Sequence, residues 1–169
     1  MRGRRVVIGA VLAVAATAVT VALLSPWDED GSEPGPVFYL LGDEWTIAAA
    51  NDPDEPIAVE PTLDWYAEYD RDVAGSPAHV RLSGHTTSLY ALGSELPGFE
   101  LEPITVLDRS GVAGVGDEDT GPAVVAYSVE PGYLIMLLSY ELTVDELVEL
   151  ANDLQPVSAG EFADADPDV

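Results

Sequence analysis

His85 is the side chain in this sequence best suited to moving a proton near neutral pH, and it stands among hydroxyls: Ser83, Thr86, Thr87 and Ser88. An imidazole beside a hydroxyl can serve as a general base. The rest of a nucleophile's equipment is missing. No Gly-x-Ser-x-Gly elbow surrounds any serine, and hydroxyls are ordinary strand residues. His85 therefore reads first as a structural or solvated histidine, with pH sensing and catalysis as the sharper alternatives. His79, close to Pro77, reads as a plain edge residue.

Carboxylates offer a second chemistry. Asp117-Glu118-Asp119-Thr120-Gly121, Asp28-Glu29-Asp30-Gly31 and the alternating Asp164, Asp166 and Asp168 could supply oxygens to calcium. None has the spacing of an EF-hand loop, and a chain with 31 acidic residues makes such clusters by chance. The chain has no glycine-rich phosphate cradle, no His-Glu-x-x-His, no lysine and no cysteine. The expectation is a non-enzymatic protein with no cofactor and no metal site. Trp65, Tyr66, Tyr69 and Tyr90, together with His85, are the candidates for a ligand or partner face. Alternating aromatics on a strand are more often core, because they bury large apolar area.

The surroundings of such a face are set by the first thirty residues. Arg2, Arg4 and Arg5 precede an uncharged apolar run from Val6 to Leu24, and Asp28, Glu29 and Asp30 follow it. About 19 helical residues span roughly 28 Å, close to a bilayer's hydrocarbon core. The arginines place the N-terminus in the cytoplasm and the remainder outside. A cleaved signal peptide shares this layout, but the small-x-small candidates Ala13-Val14-Ala15 and Ala16-Thr17-Ala18 lie inside the apolar run. The run's end, Leu23-Leu24-Ser25-Pro26, makes a poor cleavage site, so a retained anchor over 6–25 is favoured. Arg4-Arg5 alone is a weak trace of a twin-arginine signal. No small-xxx-small stripe argues for helix dimerisation, and the oligomeric state stays open.

Beyond the anchor the chain is acidic throughout. All 31 acidic residues follow residue 25, against Arg71, Arg81 and Arg109, and the whole chain carries a formal charge of −25. Such a surface repels nucleic acid and anionic lipid headgroups. It also strains the compact state by self-repulsion that salt would relieve. The acidity fits adaptation to high external salt or divalent cations, and equally a genome poor in lysine codons.

The expected organisation is a cytoplasmic tip over 1–5, an anchor over 6–25, an acidic Pro/Gly spacer over 26–36, one domain over 37–157 and an unstructured acidic tail over 158–169. Turn signals about every ten residues favour strands. Runs 37–41 and 45–50 read as a hairpin around Gly42-Asp43-Glu44, and 51–56 as loop. Leu63, Trp65, Ala67 and Tyr69 alternate with polar partners as a half-buried strand does. A further strand opens at 79–82, with a bulge at Gly84 before it continues over 86–92; 88–96 as a helical turn is the alternative. Strands over 100–107 and 112–115 flank a turn at 108–111, and 117–121 is a loop. Strands over 123–129 and 133–138 flank Glu130-Pro131-Gly132, the clearest hairpin. Thr143-Val144-Asp145-Glu146 is a capping box, and Val144, Leu147, Val148, Ala151 and Leu154 form one apolar helical stripe.

The segment from Ser110-Gly111-Val112-Ala113-Gly114 through VVAYSVEPGYLIMLLS and LTVDELVELANDL resembles a bacterial single-pass membrane protein family of unknown function. Its outer domain is similar to sigma-factor-regulatory and lipoprotein-carrier-like domains, loosely over 62–157 and with specificity over 110–155. The resemblance implies a curved antiparallel sheet with a short C-terminal helix packed on it, an α+β class, and a role in envelope sensing or regulation. It carries no active-site residue. Five residues before the anchor are too few to hold a sigma factor, a departure that puts an anti-sigma role in doubt. The functional expectation is a non-enzymatic, membrane-anchored extracytoplasmic protein that binds an envelope partner or senses its surroundings. The alternative is a carrier-like domain holding an apolar ligand in the concave face of its sheet. A large apolar cavity under the helix would favour the carrier; a filled interior would favour recognition.

Overall fold

The strand-period alternation and the single strong helical stripe resolve, in a computed structural model, into a sheet-rich α+β fold. The structure describes residues 36–51, 62–73, 76–116 and 121–165. The expected anchor, the spacer up to residue 35, the loop over 51–56 beyond Asn51, and the carboxylates at 28–30, 117–119, 166 and 168 lie outside the described residues. Among the described residues no helix is long and apolar enough to cross a membrane.

Nine strands and three helices follow in chain order among the described residues. They are β1 (Phe38–Leu40), β2 (Thr46–Ala50), β3 (Leu63–Val73), β4 (Ser76–His85), α1 (Leu89–Glu95), β5 (Phe99–Val106), β6 (Arg109–Gly116), β7 (Ala123–Glu130), β8 (Tyr133–Ser139), α2 (Val144–Asp153), β9 (Gln155–Val157) and α3 (Ala159–Asp164). Seven strands form one antiparallel sheet in the order β2-β3-β4-β8-β7-β6-β5, and β1 pairs separately with β9. Two meanders, β2-β3-β4 and β5-β6-β7-β8, are thus joined where β4 meets β8.

Both faces of the centre are covered, which explains why β7 and β8 read as nearly unbroken apolar runs. On one face lie Trp65, Tyr69, Val80, Leu82, Val125, Tyr127, Ile135 and Leu137, under Leu147 and Ala151 of α2. On the other, Ala126 and Leu134 pack against Leu92 of α1. The helix expected from the capping box is α2, with both halves of the box formed: Glu146 N–H donates to Thr143 Oγ1, and Thr143 N–H donates to Glu146 Oε2. Those donors hold the exposed Glu146 carboxyl below the usual carboxylate range.

Several expectations are corrected. Residues 37–41 and 45–50 turn at Gly42, where Trp45 N–H reaches the Gly42 carbonyl at 3.0 Å, but they do not pair with each other. The first strand pairs with β9 and the second with β3, because tertiary partners outweigh the local turn. Residues 86–92 do not continue the strand. Ser88 caps α1 by accepting from Ala91 N–H at 3.2 Å, and Leu89, Leu92 and Leu96 face the sheet at helical spacing. The bulge falls opposite Gly84, between Leu63 and Trp65 of β3. Finally, 159–164 is no unstructured tail. Ser158 and Glu161 form a second capping box, and Phe162 is buried between Phe38 and Trp65, with ring centroids at 5.1 and 4.9 Å.

The hairpin turns obey their chemistry unequally. At Pro131-Gly132 the proline holds φ negative and Gly132 takes φ 80°, the type II arrangement. The β5–β6 turn instead falls on Leu107 and Asp108, both with positive φ (50° and 61°). Leucine pays a steric penalty there that asparagine largely avoids. Leu107→Asn is expected to raise stability by about 1 kcal/mol. A denaturation midpoint that rises with an unchanged slope checks it, and a lower midpoint refutes it.

Candidate functional site

Alternation along β4 puts Arg81, Ser83 and His85 on one face of the sheet, the face that α1 partly covers. His85 is only 5% exposed and Ser83 1%. His85 Nε2 lies 2.9 Å from Ser83 Oγ, and that oxygen is 3.4 Å from the Met136 carbonyl. His85 Nδ1 is buried and has no hydrogen-bond partner among the described residues. If Ser83 donates to Met136, the proton must sit on Nε2 and be given to Ser83. The opposite tautomer would bury an unsatisfied N–H at Nδ1, the costlier choice.

This is the reverse of nucleophile activation, since His85 then gives Ser83 a proton bond and accepts none. Burial, reinforced by the Arg81 guanidinium, pulls the imidazole from 6.5 to about 4, so it is neutral at physiological pH. A cation, not a carboxylate, is the charge that acts on it. The neighbouring hydroxyls do not converge on it either. Thr86 Oγ1 donates to Asp64 at 2.7 Å, and Ser88 caps α1.

The aromatic candidates separate. Trp65 and Tyr69 are core residues beneath α2 and α3, with Trp65 Nε1 donating to the Val37 carbonyl at 3.1 Å. Burial pushes the Tyr69 phenol up to about 12 and drives the Tyr133 phenol higher still. Tyr66 points to the opposite face, half-buried, with the Arg81 guanidinium 4.7 Å above its ring. Tyr90 is 92% exposed on α1. The structure thus brings His85 together with Ser83 but gathers no face from Trp65, Tyr66, Tyr69 and Tyr90.

A cleft that the residue pattern alone did not suggest lies at the other end of β4. It encloses about 410 Å³ and is lined by Thr46, Asp70, Arg71, Asp72, His79 and Glu141, among others. As expected of an edge residue, His79 has a strand partner on the β3 side only: the pairing of β4 with β8 covers Arg81–His85, and on that side the His79 carbonyl accepts from the Ser139 hydroxyl. His79 Nδ1 is 2.8 Å from Asp70 Oδ1, its Nε2 4.0 Å from Glu68, and its backbone N–H points to Glu141 Oε2 at 3.4 Å. Counting outward from the Val73–Ser76 pair reaches Asp70 opposite His79, so the pairing was available to a correctly placed hairpin. Arg71, also part of the lining, lies 4.4 Å over the Trp45 ring and reaches toward Glu44 at 4.0 Å. Three carboxylates of the lining, Asp70, Asp72 and Glu141, are exposed. Among the described residues no three His, Asp or Glu side chains are placed to hold a metal ion. The cleft's chemistry suits a basic side chain.

Under α2 the interior is filled. Leu147, Ala151, Val125, Tyr127, Ile135 and Leu137 are all 0% exposed. A second cleft of about 370 Å³ opens at the α2 N-terminus between Val115, Ala123, Leu142 and Val144. Comparison of the chain with protein-family models, curated proteins and solved structures found no match.

Proposed function

We propose that this chain is a non-enzymatic, single-pass membrane protein whose α+β domain stands outside the cytoplasm and binds a protein partner of the cell envelope. The observation that supports this reading best is the filled interior beneath α2, which gives a recognition surface the advantage over an apolar carrier. The carrier alternative draws no support from the described cavities, both of which open at the surface and hold acidic residues. His85, neutral, buried and hydrogen-bonded to Ser83, is used structurally.

The anchor over 6–25 rests on its charge-free apolar run and flanking arginines, and the resemblance to sigma-factor-regulatory and carrier-like outer domains points the same way. Alkaline carbonate extraction of native membranes is expected to leave the 17.9 kDa chain in the pellet, with its C-terminus digested by protease added outside. Release into the supernatant, or a chain shortened by about 25 residues, refutes the anchor. Crosslinking and pull-down from the same membranes then tests the partner: recovery of the chain alone under every condition counts against recognition.

A further inference from the structure

The seven-stranded sheet ends in two edges of opposite character. β5 carries Glu100, Glu102 and Pro103, all exposed, and these charges and the missing N–H block the addition of another strand. β2 is Thr46-Ile47-Ala48-Ala49-Ala50, with no charge and no proline. Among the described residues no strand pairs with its outer side. The acidic cleft opens at the Thr46 end of this edge.

We propose that the outer edge of β2 takes up a short extended segment of a partner protein, and that a basic side chain of that segment enters the Asp70–Asp72–Glu141 cleft. The inference rests on the partner-binding reading and specifies its surface. Register supports the geometry. Thr46 lies directly opposite Asp70, so the two share a face, and Asp70 in turn lies opposite His79. A residue added opposite Thr46 would face the same side, about two strand spacings, roughly 10 Å, from Asp70. The long stem of an arginine or lysine covers most of that distance.

Charge complementarity selects the occupant. A formal charge of −25 disfavours a second copy of this chain and any acidic segment, and favours a basic one. The bulge between Ile47 and Ala49 bends the edge. That bend opposes long flat pairing between copies and suits a segment of a few residues. Main-chain hydrogen bonds would supply affinity and the cleft would supply specificity.

The test uses the full chain in detergent with a nine-residue peptide of alternating valine and arginine. Hydrogen exchange of the amides over 46–50 is expected to slow by about tenfold when the peptide is bound. The same peptide N-methylated at alternate backbone nitrogens keeps its charge but cannot pair, and is expected to bind about tenfold more weakly. Asp70→Asn, which can keep a hydrogen bond to His79, is expected to weaken the unmethylated peptide up to about fivefold. Equal binding of the methylated peptide, or binding without protection over 46–50, overturns the inference. So does a peptide-free, concentration-dependent dimer protected at β2, which would make a second copy the occupant. Photo-crosslinkers placed at Ala48 and Tyr90 in cells separate the two levels. Crosslinks to a protein from Tyr90 alone overturn the edge and leave the partner-binding reading standing. No crosslink from either site, with β2 still protected by the peptide, overturns that reading and supports the edge chemistry.

Discussion

Between about pH 6.5 and pH 4 the native protein is expected to lose stability as His85 takes up a proton on unfolding, and replacing His85 with glutamine is expected to remove most of that loss. His85 is 95% buried by its 5% exposure, and its folded-state pKa is depressed from 6.5 to about 4, first by burial and then by Arg81. The sign follows from proton binding. Between those two values the unfolded chain binds a proton at His85 that the folded chain does not, so stability falls as pH falls. The contribution is fully present above pH 6.5. About 2 kcal/mol of it is gone at pH 5, and about 3 kcal/mol below pH 4.

The general acidity acts in the other direction. Protonating carboxylates relieves self-repulsion in a chain of charge −25, and most of that relief comes below pH 5. The difference between native and variant proteins therefore isolates the imidazole. His85→Gln can still donate to Ser83, so it is expected to cost about 1 kcal/mol at pH 7.5 and to be the more stable protein at pH 5. Denaturant titrations at both pH values check this reversal. Parallel curves across that range would show that His85 is charged in the fold or exposed to water, contrary to its place beside Met136 and α1.

The parts of the fold that were legible in the sequence are those where local chemistry and tertiary packing agree. The Pro131-Gly132 turn, the Thr143 capping box and the α2 stripe each need only neighbouring residues, and each stands where expected. The alternation of Trp65, Ala67 and Tyr69 likewise marks a strand with one core face. What failed needed distant partners. Nothing near 37–50 tells that β1 will pair with β9 more than a hundred residues later. The acidic composition after residue 158 concealed a signal that was present, since Ser158 and Glu161 are spaced as a capping box and Phe162 is an apolar anchor. The site was less legible than the fold. His85, Tyr66 and Trp65 stand out by type, yet they fall on two faces. The acidic cleft is assembled from β2, β3, β4 and the segment after β8, four places that no short motif connects.

Gly84→Ala is expected to cost at least 3 kcal/mol, more than most single methyl additions, because the glycine marks a contact between fixed rings. A Cβ at this position would overlap Trp65 Nε1 and the Tyr133 hydroxyl, and would sit 2.7 Å from Trp65 Cε2. Neither ring has a free direction. Trp65 is held by its bond to the Val37 carbonyl and by Phe38 and Phe162, with centroids at 5.6 and 4.9 Å. Tyr133 is 0% exposed. Pushing Trp65 aside would disturb the packing that fastens β1 and α3 to the main sheet, so the loss should spread beyond the substituted strand. Hydrogen exchange is expected to quicken most at β1, β9 and α3. A coupled substitution separates steric overlap from backbone effects. Trp65→Phe alone leaves a cavity and costs about 2–3 kcal/mol, but it vacates the space of the indole nitrogen. Combined with Gly84→Ala, the two losses should fall short of their sum by 1 kcal/mol or more, and Tyr133→Phe should relieve the remainder in part. Strictly additive losses would mean that the glycine serves the backbone at the β3 bulge rather than the packing of Trp65.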